Sequence, residues 1–90
     1  MTTRCTIPAE VAAAPLADGT VLLHMGTKRY FSLNETGAEI WRMLEEHVPV
    51  EEIPARLSAS YEVPLDDAHV AVNDLLAALA EQELLAIEPE

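Results

Sequence analysis

The 90-residue chain has few of the residues on which disulfide stapling, phosphate loops and membrane insertion depend. Its single cysteine, Cys5, excludes an intramolecular disulfide and fits a reducing compartment. The three glycines are isolated, so there is no glycine-rich phosphate-binding loop. No apolar run is long enough to span a bilayer, and the N-terminus lacks a signal-peptide pattern. We therefore expect one cytoplasmic domain over residues 1–90 that is not associated with a membrane.

Basic residues are scarce too: five Lys and Arg stand against sixteen Asp and Glu, for a formal net charge of −11. Residues 49–90 contain one base, Arg56. Nucleic acids and anionic membranes are bound through Lys and Arg, so neither is an expected partner. A basic or apolar peptide is a better electrostatic match, although acidity that only keeps a small protein soluble explains the composition equally well.

The residues capable of chemistry form no recognisable catalytic or metal-binding set. Cys5 could pair with His24, His47 or His69 as nucleophile and base, but three scattered histidines produce such pairs by composition alone. The histidines lie roughly twenty residues apart and the cysteine stands alone, which is not metal-ligand spacing. The sequence therefore predicts no catalytic residue, no metal ion and no cofactor.

The first third of the chain has the pattern of a small antiparallel sheet of two or three strands. Residues 1–17 are expected to form a partly irregular lead-in, in which Ile7 and Val11 fit either a short strand or an extended segment. Residues 18–33 are predicted to be a β-hairpin because turn residues separate two runs rich in strand formers. The two predicted strands are residues 20–25 and 29–33.

Residues 34–87 are predicted to be mainly helical, in three segments. Asn34 has the character of an N-cap for the first helix, which should end near residue 46 because Val48-Pro49 follows. The third helix has a continuous apolar stripe that should face the core. The predicted second and third helices span residues 51–60 and 66–83, and residues 84–87 form an apolar tail. A small sheet followed by three helices indicates an α+β winged helix-turn-helix fold.

The strand at residues 29–33 is the first candidate binding element. In so small a sheet it can lie at an edge, where unpaired N–H and C=O groups accept an added peptide strand. Lys28 at its start would then be a guard against unwanted pairing. An ordinary strand covered by the rest of the fold explains the same residues. The candidate peptide-binding residues here are Arg29, Tyr30, Phe31, Ser32 and Leu33.

The face of the third predicted helix that points away from the core is the second candidate. Small apolar residues there stand beside carboxylates that recur seven residues apart. A shallow groove with acidic margins can hold the apolar and basic side chains of a peptide. A solvated face rich in alanine for helix propensity explains the pattern as well. The candidate residues are Asp67, Val70, Ala71, Asp74 and Ala77.

A longer motif runs through these elements. Asp18-Gly19-x-Val21-Leu22-Leu23 is followed by Tyr30-Phe31-x-Leu33-Asn34-x-Thr36-Gly37-x-x-Ile40-Trp41-x-x-Leu44, then by Val50-Glu51-Glu52-Ile53 and a terminal Leu84-Leu85. Over about residues 18–87 this pattern resembles the PqqD family, also called the RiPP recognition element, after ribosomally synthesised and post-translationally modified peptides. Many relatives carry glycine before the terminal Leu-Leu, where this chain has Glu83.

The resemblance implies a winged helix-turn-helix of three strands and three helices that works without catalysis. It implies that the leader segment of a precursor peptide adds as a strand beside residues 29–33 and packs against the helix at 66–83. A separate leader peptidase or other modifying enzyme would use the bound leader. A short, free-standing acidic chain is most similar to the leader-binding proteins of lasso-peptide pathways, and we expect a monomer in the free state.

Three other functions remain open from the sequence. The first is a PqqD-type chaperone for a radical SAM peptide-modifying enzyme. The second is a winged-helix DNA-binding regulator, which needs a basic recognition helix, whereas residues 66–83 contain no Lys or Arg. The third is a dimerisation module that uses the same edge strand on a second copy. Asn34, Gly37 and Trp41 are interpreted as structural: a cap, a close-packing site and a core anchor.

Overall fold

The computed structural model describes the backbone of residues 3–89 and the side chains of residues 5–88. An α+β architecture is confirmed, with a three-stranded antiparallel sheet followed by three helices. In chain order the elements are β1 Thr3–Thr6, β2 Val11–Leu16, β3 Gly19–His24, β4 Arg29–Asn34, α1 Glu35–Glu45, a 3-10 turn Val50–Glu52, α2 Ile53–Tyr61, α3 Leu65–Glu81 and β5 Ala86–Pro89.

The main sheet has the order β2-β3-β4, with β3 in the centre. Side chains alternate along β3: Thr20, Leu22 and His24 are buried against the helices, whereas Leu23 is exposed on the outer face. A tight turn joins β2 to β3, and β3 pairs with β4 in register from Gly19 to His24. The strand and hairpin predicted over residues 18–33 are thus present.

The lead-in over residues 1–17 contains two strands, β1 and β2, with residues 7–10 outside any strand between them. Ala12, Ala13 and Ala14 are weak strand formers, so the local sequence gave little sign of β2. β1 pairs with β5, about eighty residues away in the sequence, and the apolar tail predicted at 84–87 contributes to β5. Both strands depend on distant partners, which local periodicity cannot reveal.

The helix boundaries follow from capping. The Asn34 side chain accepts a hydrogen bond from the Gly37 N–H at 2.8 Å, as predicted for an N-cap of α1. Pro54 lies in the first turn of α2, where its missing N–H costs little. α3 ends two residues earlier than predicted, because Glu83 adopts a left-handed φ of 60° and the Leu84 N–H bonds back to the Leu79 carbonyl. Glycine would adopt that conformation without strain.

One apolar core joins the sheet to all three helices. Leu22 and Leu33 enter it from the sheet, and buried side chains from α1, α2 and α3 complete it. The apolar stripe predicted on α3 faces this core, with Val72 fully buried. Within residues 3–89, no helix combines the length and apolar character needed to cross a membrane. The core fixes α3 next to one edge of the sheet.

Candidate peptide-binding site

β4 lies at one edge of the three-stranded sheet and pairs on one side with β3. The Met25 N–H donates to the Glu10 carbonyl at 2.9 Å, which fixes the hydrogen-bonding parity of the sheet because bonding positions alternate along antiparallel strands. By this alternation Phe31 bonds to β3, whereas the main-chain groups of Tyr30 and Ser32 point away from the sheet. Within the described residues, β4 therefore presents an open edge.

The loop that leads into β4 is held by His24. This side chain is buried, and its Nδ1 accepts hydrogen bonds from the N–H groups of Gly26 and Thr27, each at 3.1 Å. The Lys28 N–H donates to the His24 carbonyl at 2.8 Å, with Lys28 in a left-handed conformation. These bonds fix the position at which β4 begins.

α3 approaches β4 near both ends of the strand. At one end Arg29 Nη1 donates to Gln82 Oε1 at 3.4 Å. Past the other end of β4, a groove of about 290 Å³ separates the start of α1 from α3. We call it the α3 groove; its lining residues are Asn34, Thr36, Gly37, Ile40, Ala71, Asp74 and Leu75.

The five residues predicted on the strand have different surroundings. Arg29, Tyr30 and Ser32 are exposed, with Tyr30 74% accessible. Phe31 is half-buried and Leu33 is 6% exposed, because both face the core side of the sheet. Only the main chain and the outward side chains of β4 are therefore accessible from solvent, while Leu33 supports the core.

The five residues predicted on the helix are also divided. Ala71 and Asp74 line the α3 groove next to the end of β4. Asp67, Val70 and Ala77 are exposed on α3 outside the lining of this groove, and Val70 is 59% accessible. Two of the five therefore line the α3 groove, at the end of β4.

Sequence reasoning missed several residues of the α3 groove. Leu75 belongs to the apolar stripe of α3 and packs against the core, and its half-buried side chain also lines the groove beside Ala71. The spacing of four residues between them is the signal that was available, since such pairs share a helix face. Thr36 and Ile40 belong to α1, and nothing local in the sequence indicates that they meet α3.

The fold can be compared with known proteins at this point. A family model described as Coenzyme PQQ synthesis protein D (PqqD) matches residues 19–85. The chain belongs to the PqqD family. No curated protein matches this chain.

Two solved structures share the fold of this PqqD-family chain. The first, TbiB1 in complex with the TbiA(beta) leader peptide, is 40% identical, with a TM-score of 0.83 over 89% of this chain and 93% of that one. The second, lasso peptide synthetase B1 complexed with the leader peptide, is 26% identical, with a TM-score of 0.83 over 92% of this chain and 98% of that one. The resemblance inferred from the sequence is confirmed at the level of family and fold.

The reactive groups of this family member are poorly placed for chemistry. Burial, and to a lesser extent the carboxylate of Glu51, raise the pKa of the Cys5 thiol, which disfavours the thiolate form that a nucleophile needs. Among residues 3–89, no group of three or more His, Cys, Asp or Glu side chains could hold a metal ion. What the site offers is main-chain hydrogen bonding beside a shaped groove.

Proposed function

We propose that this chain binds the leader segment of a ribosomal precursor peptide by strand addition at β4 and holds it for a separate enzyme. The observation that carries the proposal is the open edge of β4 beside the α3 groove. Two members of this fold whose structures contain a leader peptide support it, one of them 40% identical to this chain.

The main chain of β4 supplies affinity. A disordered leader loses conformational entropy when it becomes a strand, and hydrogen bonds to Tyr30 and Ser32 offset part of that cost for any leader sequence. Neither residue needs to move, because the core side of β4 is anchored through Leu33 and the loop before it through His24.

The α3 groove supplies selectivity. Ala71 and Leu75 give it apolar surface, and Asp74 places a carboxylate at its margin. A leader with an apolar side chain followed by a base matches this arrangement. Val70 and Ala77 lie too far round α3 to line the groove, so we expect them to contribute less than Ala71.

The partner enzyme performs the chemistry. PqqD-family domains act as binding modules, and holding a leader beside an active site raises the effective concentration of the scissile or modified segment. We propose a lasso-peptide leader peptidase as the partner, supported by the two B1 structures. A radical SAM peptide-modifying enzyme is the alternative partner within the same family.

The experiment uses a single proline. Ser32→Pro removes an outward N–H that the sheet does not use, so the fold should survive while guest pairing fails. The ligand is a fluorescent peptide with the sequence of the TbiA(beta) leader, the peptide in the structure that is 40% identical to this chain. We expect micromolar or tighter binding by the parent chain, and a loss of about 30-fold in Ser32→Pro, which is about 2 kcal/mol for unmade hydrogen bonds.

The matched control is Ser32→Ala, which removes the hydroxyl and keeps the N–H. We expect its affinity for the leader to stay within about threefold of the parent, since the main chain makes the bonds. Helical circular dichroism should be the same in all three proteins. Equal affinity in the parent and in a folded Ser32→Pro variant would refute strand addition at β4.

A further inference from the structure

A second groove lies on the opposite side of α1 from the α3 groove, between α1 and β2. It encloses about 400 Å³. We call it the β2 groove. Its walls are small or apolar on the strand side, with Ala13, Pro15 and Leu16, and charged on the helix side, with Glu35, Glu39, Arg42 and Glu45; Trp41 and Tyr61 also line it.

Trp41 lines this groove and carries an unpaired donor. The side chain is 2% exposed, and its Nε1–H finds no acceptor among the described residues. Buried donors are nearly always paired, so an orphaned one requires a reason. Because the Nε1 atom is closed off from solvent, a ligand in the groove reaches it only by displacing neighbouring side chains, and the indole signal reports that change.

The charged wall is negative. Arg42 is held by Glu39 and Glu46, whereas Glu35 and Glu45 form no ion pair within the described part of the chain. Two lone carboxylates at the rim favour an ammonium or guanidinium group.

The phenol of Tyr61 is affected by the same negative charges. Desolvation, then the carboxylates of Glu39 and Glu35, raise the pKa of its phenol, and Arg42 offsets this only in part. The hydroxyl therefore stays protonated at neutral pH and remains a hydrogen-bond donor beside the carboxylates. A base carried by a peptide would be attracted to this corner of the groove.

The β2 edge limits how a guest can bind. By the parity that the Glu10–Met25 bond fixes, Pro15 occupies a position whose nitrogen points outward, and proline has no N–H to offer. A continuous added strand is therefore interrupted here. Recognition in the β2 groove depends on side chains and on single carbonyl contacts.

We propose that the β2 groove binds a segment with basic and apolar side chains from the enzyme that uses the leader, an inference that rests on the proposed function. The groove and β4 lie on opposite sides of the sheet's central strand, so leader and enzyme can bind together. A second copy of this chain is a poor occupant, since each copy carries a net charge of −11.

The single tryptophan makes the test direct, because the ¹H–¹⁵N spectrum contains one indole Nε1–H signal. The probe is a capped pentapeptide of alternating valine and lysine, with glutamate replacing lysine in the control peptide. We expect the lysine peptide to move the indole signal downfield and to saturate at roughly millimolar concentration or below. The glutamate peptide should leave it in place.

Variants locate the charge. The double change Glu35→Gln and Glu45→Gln should weaken the lysine peptide about fivefold, whereas Glu81→Gln, exposed on α3, should not. Leader binding at β4 should be the same in all of these proteins. If the parent binds the lysine peptide but not the leader, the proposed function is refuted, whereas the assignment of the β2 groove as a binding site for basic peptides is retained.

The occupant is tested by competition. A purified lasso-peptide leader peptidase should displace the lysine peptide and shift the indole signal itself. No indole shift with the lysine peptide, or equal shifts with both peptides, overturns the proposal. A shift that appears on concentrating the protein alone, with a doubled mass in light scattering, assigns the groove to self-association instead. Lysine-peptide binding that the peptidase does not displace also overturns it.

Discussion

The two edges of the sheet differ although both strands pair with β3. β4 has no proline, and its outward N–H groups at Tyr30 and Ser32 are unobstructed. β2 carries Pro15 at an outward position and is built mainly of alanine. Pro15 therefore interrupts strand addition at the β2 edge, which is a known way of protecting edges, whereas the β4 edge can accept a strand.

The grooves next to the two edges also differ, in the charge of their helix walls. On the β4 side, α3 offers a mostly apolar groove with one carboxylate, Asp74. On the β2 side, α1 offers three carboxylates around a buried indole. One edge is suited to main-chain recognition of a peptide with varied sequence, and the other to recognition of particular side chains. The four predictions below test this division.

The largest effect on stability is expected at Gly19, the first residue of the central strand β3. A Cβ at this position would overlap the carbonyl oxygen of Leu33, so Gly19→Ala must push β4 away from β3. We expect a loss of about 3 kcal/mol in urea unfolding, as for overpacked sites. Leu16→Val, the neighbouring change on β2, should cost less than about 0.5 kcal/mol because Leu16 is exposed. Similar stability in both variants would mean that β4 moves freely.

His24 should matter for β4 and not for the β2 groove. His24→Leu leaves the N–H groups of Gly26 and Thr27 without their acceptor, at an expected cost of about 2 kcal/mol. Amide exchange at those two residues should accelerate, and leader affinity should fall. His69→Leu on exposed α3 is the control and should change stability by less than about 0.5 kcal/mol. Unchanged exchange at Gly26 would show that water replaces the ring.

How far the sequence could predict this fold follows from the range of the interactions. The hairpin, the Asn34 cap and the α3 stripe depend on neighbouring residues, and each was predicted. β1 pairs with β5 across the whole chain, and the alanines of β2 have no alternation to read. These elements depend on tertiary pairing, which overrides weak local propensity.

The candidate site shows the same limit. The strand residues could be named in advance. Which of their main-chain groups point outward depends on the hydrogen-bonding parity of the sheet, which the Met25–Glu10 bond reveals. Of the residues predicted on α3, Ala71 and Asp74 line the groove, whereas Val70 lies outside its lining. Carboxylates spaced seven residues apart identify one face of α3. The angle at which α3 packs against α1 decides which part of that face lines the groove.

The third prediction asks whether proline alone limits the β2 edge. Pro15→Val supplies an outward N–H and keeps an apolar side chain on the wall of the β2 groove. We expect the valine–lysine pentapeptide to bind about fivefold more tightly, equivalent to one hydrogen bond of about 1 kcal/mol. Calorimetric titration measures this, and leader affinity at β4 serves as the control that should not change. Unaltered pentapeptide affinity would mean that the guest main chain never reaches this edge.

The smallest effects should be the most selective, because they separate the two grooves by charge. Asp74→Asn should weaken the leader about threefold and leave the pentapeptide unaffected, while Glu35→Gln should do the reverse, as for exposed ion pairs of about 0.5 kcal/mol. Raising the ionic strength should reduce both differences, since exposed charges are screened. Titrations of both peptides at low and high salt measure this. If either substitution weakened both ligands equally, the grooves would be coupled through α1, and the two edges could not be treated as independent sites.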